Sequence, residues 1–556
     1  MRVRAALTFL IFAMLPLHAA TVLLKDGSTF SGDIQNVEWD FYSVLQTTKS
    51  GTARRIIPRS DVVKIDGASD AEKAILGRPD PDFDTSEEQN RNELPIERHL
   101  AVEALQAWYG ADLDLKGDAA LAKSVQRAEA LIIGYLRVND AAKRKLWLDE
   151  LQDLKLEPRM VRAILQSGPY ALGAELKTGR FRMRTPVNGV EGGIVNFTAH
   201  VPENYTSRKK WPVILLLHGT LNNGDQYMNF WLKDEIAAGY ILIAPWANHA
   251  HGYGPSVLGR GQVFAALEWA LTHYRVDSDR VYITGLSMGG AGAKRLTIFQ
   301  PDRFAAACSD SGAPLDPSLE AQYKNLFTVP LYSWSGARDQ LVPNAVVLHE
   351  KELAEALKLP LTYTIDPNGD HGSNPNIAAD AVKFFEDKKR ARYPERVVLV
   401  SQEDEQGLRH HYVEITRADE AANVPYTFNV LNIMKVVDYS SGDLDRARDL
   451  KTMVEKGGEI IVDHRRMWRK ARELDLHLDK ANNTVVLDSA ALVRAFRIFV
   501  DDEMLDLDQE IKVSYKNQIV ATQKITRSIA FMLEEARKHG RRDLSYWGAI
   551  DVKLAP

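Results

Sequence analysis

The pentapeptide Gly285-Leu286-Ser287-Met288-Gly289 has the residue types of a nucleophilic serine turn. The apolar run Val281–Ile283 precedes it and predicts a buried strand, and the residues from Ala291 onward predict a helix. A serine on such a sharp turn has its hydroxyl lifted clear of the sheet, where it can attack a carbonyl carbon. The amide of Met288, at the helix start, would point to the place where an oxyanion forms. We therefore predict acyl transfer with Ser287 as the nucleophile.

A serine nucleophile needs a base, and the position of His371 favours it for that role. It lies in a glycine-containing loop directly after the apolar run Leu361–Ile365. A histidine in a loop after the last strand can reach over the serine and take its proton. The other histidines fit less well, because they lie on a predicted helix, too early in the chain or in the C-terminal region: His349, His249, His251, His410 and His411.

The acid that orients the histidine should follow another strand, and Asp339 satisfies this requirement. It comes shortly after the apolar run Val329–Trp334, so the chain order is serine, aspartate, histidine. Asp310 is the main alternative, because it also follows an apolar run. Asp366 and Asp370 are less favoured, since both lie very close to the histidine in sequence.

A second amide should help to stabilise the oxyanion, and it should come from a loop after an early strand. The run Trp211–Leu217 leads into His218-Gly219-Thr220. We predict that the amide of Thr220 takes this role, with Leu221 as the alternative. The imidazole of His218 is expected to shape the loop by bonding to the backbone, and not to act as a second base.

The residues that carry this chemistry need a rigid sheet to position them, and residues 168–392 have the pattern of one. Apolar runs such as Tyr240–Pro245 alternate with helical segments such as Gln262–Thr272 and Asn344–Leu357. Nearly continuous apolar strands that alternate with helices indicate a mainly parallel α/β sheet. We expect these residues to form the catalytic domain.

Smaller units are predicted on either side of this block. They are a small β module of the SH3-like barrel type at residues 21–66, a linker at 67–94, a helical segment at 95–167 and a mostly β accessory domain at 393–556. The pair Asp26-Gly27 predicts a hairpin in the first module. Two helices, near Asp443–Lys456 and Ile525–Lys538, should interrupt the C-terminal strands, which we expect to surround a core of their own.

Composition limits the function classes that fit this chain of 556 residues. Its net charge of −5 is small, so charge gives no argument for binding nucleic acid or a membrane surface. The single cysteine, Cys308, lies in a run of small residues and is predicted to be a buried core thiol. Residues 1–20 place Arg2 and Arg4 before an apolar run that small residues close, which is the order of an export signal. Cleavage near Thr21 is expected, with an uncleaved anchor as the alternative.

The block from about residue 195 to 386 resembles α/β-hydrolases of the polyhydroxybutyrate-depolymerase, feruloyl-esterase and predicted-peptidase type. It is also similar to the dienelactone-hydrolase and prolyl-oligopeptidase-like branches. The resemblance covers roughly two fifths of the chain. The segments that carry it are Leu217–Thr220, Arg280–Gly290, Pro301–Ala307, Gly336–Asp339 with Val342-Pro343, and His371. The sequence departs from commoner forms of the family at Asp370-His371, where Gly-His or Ala-His is usual, and in lacking a double glycine in the oxyanion segment.

This resemblance implies an α/β-hydrolase fold and a serine hydrolase without a metal or organic cofactor, and residues 1–20 add the expectation that it is exported. Ester hydrolysis is favoured over peptide hydrolysis. Related peptidases usually carry a long β region, a propeller, before the catalytic block, and no β region of that length is predicted before residue 168 here. The alternatives are a prolyl-oligopeptidase-like peptidase and a binding or scaffold protein on a hydrolase fold. The expected partner is an ester, polysaccharide- or polyester-linked, and no nucleic acid. The two β regions could bind a surface or a protein.

Overall fold

A computed structural model describes most of the chain. The described residues are 20–38, 41–48, 51–58, 62–76, 84, 101–109, 113–167, 176–187, 190, 193–220, 222–247, 252–254, 257–313, 317–342, 344–401, 409–419, 423–425, 428–431, 453–456, 459–462, 467–469 and 471–554. Apart from Ala20, the predicted export signal lies outside them. Within these residues, no helix is long and apolar enough to cross a membrane.

The chain divides into two compact units, and the described part of the first lies within residues 20–76. It contains an antiparallel five-stranded sheet in the order β4-β3-β2-β1-β5, followed by a short helix. The elements are β1 Ala20–Leu24, β2 Thr29–Glu38, β3 Phe41–Thr48, β4 Gly51–Pro58, β5 Val62–Asp66 and α1 Asp70–Leu76. The predicted hairpin is confirmed, since β1 pairs with β2 across a turn in which Gly27 has a φ of +82°. The SH3-like assignment stays a prediction.

The second unit begins with four helices where the helical segment was predicted. They are α2 Val102–Tyr109, α3 Ala119–Arg137, α4 Ala141–Asp153 and α5 Pro158–Ser167. Asp118 and Asp140 cap α3 and α4, because each carboxylate accepts hydrogen bonds from two amides of the first turn. Proline at the first position of α5 suits a helix start, since the N–H it lacks would have no partner there.

The catalytic block is built on an eight-stranded sheet in the order β13-β12-β11-β10-β8-β9-β7-β6. The strands are β6 Gly179–Pro186, β7 Ile194–Val201, β8 Trp211–Leu217, β9 Ile241–Pro245, β10 Val276–Leu286, β11 Ala306–Asp310, β12 Leu331–Gly336 and β13 Leu361–Asp366. Pairing is parallel from β13 to β9, and only β7 and β6 join antiparallel. The predicted mainly parallel α/β fold is confirmed.

Helices cover both faces of this sheet, which explains why its central strands are apolar throughout. Every residue of β8, β9, β11 and β12 is buried. Separate apolar clusters lie on the two faces. The helices are α6 Gly224–Asn229, α7 Asp234–Gly239, α8 Val257–His273, α9 Met288–Phe299, α10 Asn344–Ala356 and α11 Ile377–Phe385, with 3₁₀ segments at Pro301–Arg303 and Pro317–Thr328.

The C-terminal region is mostly β, as predicted. Its described strands are β14 Arg396–Ser401, β15 Arg409–His410, β16 Val413–Ala418, β17 Asn423–Pro425, β18 Phe428–Leu431, β19 Met453–Lys456, β20 Glu459–Val462, β21 Met467–Arg469, β22 Arg472–Asp479, β23 Thr484–Ala491, β24 Val493–Val500, β25 Glu510–Tyr515, β26 Gln518–Lys524 and β27 Gly548–Lys553. One predicted helix is found as α12 Ile529–His539. The other lies mainly outside the described residues. Its last four residues form β19, because they pair with β20.

The core of the C-terminal region differs from the sequence-based expectation. One apolar cluster contains residues of the helical segment, such as Leu131 and Val161, together with C-terminal residues such as Phe496, Met532 and Trp547. The two segments therefore share a core, although the whole catalytic block separates them in sequence. Such long-range packing cannot be derived from local patterns. The domain boundaries at 167/168 and 392/393 stay predictions.

Candidate active site

Ser287 lies at the turn between β10 and α9 in a conformation that non-glycine residues rarely adopt. Its φ is +56° and its ψ is −116°. The turn is held by two backbone hydrogen bonds, in which the Ser287 amide donates to the Asp310 carbonyl and the Ala291 amide donates to the Ser287 carbonyl, both at 2.9 Å. Strain of this kind persists only where surrounding structure enforces it. The serine therefore has the strained turn that the sequence predicted.

The two glycines of the pentapeptide are needed for space. A Cβ on Gly289 would lie 1.9 Å from the Leu217 carbonyl oxygen, and one on Gly285 would lie 2.7 Å from the same atom. The end of β8 thus passes directly beside the serine turn. A side chain at either position would push the turn away from the loop that follows β8.

His371 and Asp339 are brought together by the loops that follow β13 and β12. His371 Nδ1 lies 2.8 Å from Asp339 Oδ2. The other carboxylate oxygen, Oδ1, accepts hydrogen bonds from the Leu341 and Val342 amides, each at 2.8 Å. The Asp339 side chain is fully buried, whereas that of His371 is 20% exposed. Because the carboxylate accepts, Nδ1 carries the proton, and Nε2 is left as the basic nitrogen.

Direct backbone contacts join the two loops. The Ala337 amide donates to the Asp366 carbonyl at 2.8 Å, and the Arg338 amide donates to the Gly369 carbonyl at 3.0 Å. A Cβ on Gly336 would lie 2.3 Å from the carbonyl carbon of Gly369. The loops are packed backbone against backbone, which fixes the distance between Asp339 and His371.

The two predicted oxyanion amides belong to segments at the serine turn. Met288 is the first residue of α9, so its N–H has no carbonyl partner within that helix. Thr220 is exposed and follows Gly219, whose Cβ position would be 3.6 Å from Ser287 Cβ. The segment that carries Thr220 therefore runs against the serine. Leu221, the alternative, lies outside the described residues.

His218 bonds to the backbone on both sides, as expected of a loop-shaping residue. Its Nε2 accepts from the Ala247 amide at 3.1 Å, so Nδ1 carries the proton and donates to the Gly219 carbonyl at 2.8 Å. The residue is buried, and its own amide donates to the Tyr253 hydroxyl at 3.1 Å. This arrangement fixes the carbonyl of the residue that precedes Thr220.

The carboxylates of the alternative acids have partners other than His371 or lie exposed. Asp310 Oδ1 accepts from the Ser311 hydroxyl at 3.0 Å, Asp366 Oδ1 accepts from the Asn368 amide at 2.9 Å, and Asp370 is exposed. Burial raises the pKa of Asp310 to about 7, and the negative charge of Asp339 adds to this effect. Of the four carboxylates considered, Asp339 is the one that contacts His371.

The alternative histidines are not beside the serine turn. His349 bonds to Glu320 at 2.8 Å on α10, and His410 and His411 are buried in the C-terminal region. His249 and His251 lie outside the described residues. Cys308 is a buried thiol, as predicted, and burial raises its pKa.

Sequence reasoning overlooked Ser311 at this site. Its hydroxyl accepts a hydrogen bond from the amide of Gly372, the residue after His371, at 2.8 Å. A serine that directly follows the candidate Asp310 at a strand end was the available signal. Among the described residues, no group of three or more His, Cys, Asp or Glu side chains is arranged to hold a metal.

The fold and the serine turn together define an α/β-hydrolase, the class in which a nucleophile, an acid and a base follow successive strands. Residues 261–315, which include the turn, match the model of the prolyl oligopeptidase family. The chain is 28% identical to cutinase est2 of Thermobifida alba over 229 residues, which are 40% of this chain and 68% of that protein. It is 30% identical to cutinase est1 of the same organism over 186 residues, which are 32% of this chain and 55% of that protein.

A solved thermostable esterase aligns with a TM-score of 0.32 at 22% identity, over 38% of this chain and 63% of that one. The predicted resemblance to α/β-hydrolase serine esterases is confirmed, and the protein is a serine hydrolase. The cutinases match less than half of the chain, and neither is matched over its whole length.

Proposed function

We propose that this protein is an exported hydrolase that cleaves carboxylic esters through Ser287, His371 and Asp339. The observation that carries the proposal is the 2.8 Å hydrogen bond between His371 and the buried Asp339, in loops at the same edge of the sheet as the strained serine. Chain order, strand order and the tautomer of the histidine all agree with this assignment. The similarity to two cutinases supports an ester as the bond that is cleaved.

Acylation begins when Ser287 Oγ attacks the ester carbonyl carbon and His371 Nε2 takes its proton. Asp339 orients the imidazole and stabilises its positive charge, and two backbone amides anchor the carboxylate in turn. The imidazolium then protonates the alkoxy oxygen, the carbon–oxygen bond breaks, and the alcohol leaves. The product is an acyl-enzyme with the acyl group on Ser287 Oγ.

The oxyanion that forms in each half-reaction needs donors that are already in place. Met288 N–H at the positive end of α9 and Thr220 N–H in the loop after β8 supply them. A well-placed donor of this kind contributes on the order of 3 kcal/mol to transition-state stabilisation. Water, activated by His371, then attacks the acyl carbon, and Ser287 regains its proton as the carboxylic acid is released.

The substrate class we propose is an ester linked to a polymer, a polyester or a polysaccharide. The cutinase similarity motivates this choice. A peptide bond is the second candidate, because the family model that matches residues 261–315 is that of the prolyl oligopeptidases. The proposal includes no cofactor and no nucleic acid, and it gives the N-terminal and C-terminal β regions a role in binding a surface or a protein.

Export is part of the proposal because residues 1–20 have the charged, apolar and small-residue order of a signal. We expect a mature chain that begins near Thr21, and such a chain retains the rest of β1. N-terminal sequencing of the protein from its native host tests this. A cytosolic protein that starts at Met1 would contradict it.

The chemistry is tested with a fluorophosphonate probe, followed by peptide mapping and turnover of matched ester and amide substrates. We expect labelling at Ser287, turnover of short acyl esters and much slower turnover of the amides. Ser287→Ala should lose labelling and turnover while its thermal unfolding stays that of the parent, because the hydroxyl contributes little to packing. Faster amide than ester turnover would favour the peptidase, and an unlabelled parent protein would refute a catalytic role.

A further inference from the structure

The serine turn, the strand that leads to Asp339 and the loop that carries His371 all contact one dipeptide, Asp310-Ser311, at the end of β11. The Asp310 carbonyl accepts from the Ser287 amide at 2.9 Å, and the Ser311 amide donates to the Trp334 carbonyl of β12 at 2.9 Å. The Ser311 hydroxyl accepts from the Gly372 amide at 2.8 Å. The dipeptide thus touches the serine turn, the strand that leads to the acid and the residue after the histidine.

The side chains of the dipeptide form a continuous chain of hydrogen bonds. Ser311 Oγ accepts from Gly372 N–H and donates its own proton to Asp310 Oδ1 at 3.0 Å. Both side chains are buried, Ser311 completely and Asp310 with 3% of its surface exposed. A buried hydroxyl that both accepts and donates is held in one rotamer, and an acidic acceptor strengthens the bond.

The backbone of Ser311 is strained, and its surroundings leave it no room to relax. Its φ is +46°, a conformation that glycine adopts at much lower cost. A Cβ on Gly312 would lie 2.4 Å from the Ala291 amide nitrogen, and one on Gly290 would lie 2.7 Å from the Asp310 carbonyl oxygen. The segment is therefore pressed against the first turn of α9. The hydrogen bonds of the Ser311 hydroxyl help to hold the residue in this conformation.

We propose that Ser311, supported by Asp310, is a positioning residue that holds the histidine loop in register with the serine turn. The inference rests on the proposed function and adds to it a residue that touches no substrate. Ser311 acts through the backbone of Gly372, so its loss should leave substrate binding unchanged and slow the step in which His371 moves a proton. Displacement of a reacting group by about 1 Å can cost on the order of 100-fold in rate.

Asp310 makes the positioning of the histidine loop by Ser311 depend on pH. Burial raises the pKa of Asp310 to about 7, the Ser311 hydroxyl and His371 lower it, and Asp339 raises it. The ionisable groups that face it are His371, Asp339, Tyr227, Cys308 and Tyr332. Ionised Asp310 accepts the Ser311 hydroxyl proton more strongly than the neutral acid does. The hydrogen bond from Ser311 to Asp310 should therefore hold the histidine loop in place most strongly above about pH 7.

The test compares the parent protein with Ser311→Gly, which removes the hydroxyl and relieves the strained φ. We expect a folded protein, because the relieved φ offsets part of the lost hydrogen bonding, with an unchanged KM and a kcat lowered about 10- to 100-fold. Ser311→Cys keeps a weak donor and acceptor and should recover part of the loss. Ser373→Ala is the matched control, because that hydroxyl bonds only to Asp370 of the same loop among the described contacts. Its kcat should match that of the parent.

The rate of fluorophosphonate labelling at Ser287 separates this inference from the proposed function, because it needs no knowledge of the substrate. A parent protein that is labelled but hydrolyses no ester would refute ester cleavage, and the ratio of labelling rates would still test Ser311. If the labelling rate and kcat of Ser311→Gly are both within twofold of the parent values, the inference is overturned. If Ser311→Gly does not fold, Asp310→Asn serves instead: a kcat lowered several-fold above pH 7 supports the inference, and an unchanged pH profile overturns it. An unlabelled parent would overturn both.

Discussion

The candidate active site and the contact between the catalytic block and the C-terminal region use charge in opposite ways. We call the second region the seam and define it by Asp302, Arg303, Arg390, Arg541 and Asp543. The site pairs Asp339 with a partly exposed His371, and backbone contacts together with the Ser311 hydroxyl hold its loops. The seam buries five charged side chains together. One region keeps a charge available for proton transfer, and the other pairs both of its buried carboxylates with buried arginines.

Pairing in the seam is dense. Arg541 lies 2.6 Å from Asp302 and 3.0 Å from Asp543, Arg390 also contacts Asp543, and Arg303 donates to the carbonyls of His539 and Gly540. Burial alone would raise the pKa of Asp302, but Arg541 and its neighbours hold that pKa well below its usual range. These bonds are directional, so they select one arrangement of the C-terminal region on the catalytic block.

The largest expected effect is that of Asp339→Asn on turnover. The Leu341 and Val342 amides hold Oδ1, so an asparagine would keep its oxygen there and turn its NH₂ toward His371 Nδ1. The histidine proton would then move to Nε2, which could no longer accept from Ser287. We expect kcat to fall on the order of 10⁴-fold, as for loss of the acid in other triads. Steady-state kinetics and thermal unfolding measure this outcome and check the fold.

Asp370→Asn is the matched control, since this exposed carboxylate is adjacent to His371 in sequence but does not orient it. It should change kcat by less than about threefold. If Asp370→Asn or Asp310→Asn proved more damaging than Asp339→Asn, the acid would have to be reassigned.

The next largest effect is expected from Arg541→Met, which tests whether the seam depends on its charges. The change leaves Asp302 buried with its closest cation removed, and breaking a buried pair costs about 3–5 kcal/mol of the free energy of unfolding. Arg497→Met, in the exposed pair with Asp551, should cost less than about 1 kcal/mol. Urea denaturation of both variants gives the comparison.

If the two arginine variants lost equal amounts of stability, the buried ion pairs of the seam would contribute no more than an exposed pair. A shorter chain provides a second check, because ending at Arg392 would remove Arg541 together with more than half of the core shared with the helical segment. We therefore expect the shorter chain to be insoluble. A soluble and active product would contradict this picture of the seam.

The sequence was sufficient to predict the parts of the molecule that depend on local pattern. Glycine spacing predicted the turn at Ser287, and apolar runs followed by loops led to Asp339 and His371. The seam could not be found this way, because Asp302 and Arg541 lie 239 residues apart and each alone has the pattern of a surface charge. Ser311 was missed for a similar reason: its role depends on Gly372, which is brought to it by the order of the strands.

A smaller effect is expected from Asp310→Asn on the pH dependence of stability. Because burial raises the pKa of Asp310 to about 7, the neutral carboxyl contributes stability that is complete below about pH 4 and is lost as the pH rises through 7. Asparagine cannot ionise and shows no such loss. From pH 4.5 to 8 the variant should therefore gain stability relative to the parent, by at most about 4 kcal/mol. A difference in urea midpoints that does not vary with pH would refute this.

The smallest expected effect is that of Gly540→Ala on the free energy of unfolding. It tests whether a glycine at the seam is needed for its backbone conformation, whereas those of the serine turn are needed for close approach. Gly540 follows α12 with a φ of +57°, and its carbonyl accepts from Arg303 at 3.1 Å. A Cβ there would meet only the Arg303 guanidinium, at 4.0 Å, so the cost of Gly540→Ala comes from φ and should be about 1 kcal/mol. Gly540→Asn should recover part of it, because asparagine tolerates this conformation.

Gly239→Ala is the control for Gly540→Ala, since no atom lies within 4 Å of the added Cβ and Gly239 lacks a positive φ. Its stability in urea should be unchanged or slightly higher. At the serine turn the same change acts by collision, because the Cβ of Gly289→Ala would meet the Leu217 carbonyl at 1.9 Å. Asparagine should therefore give no recovery at position 289. If it did, the glycines of the turn would be serving backbone conformation, as Gly540 does, and not close approach.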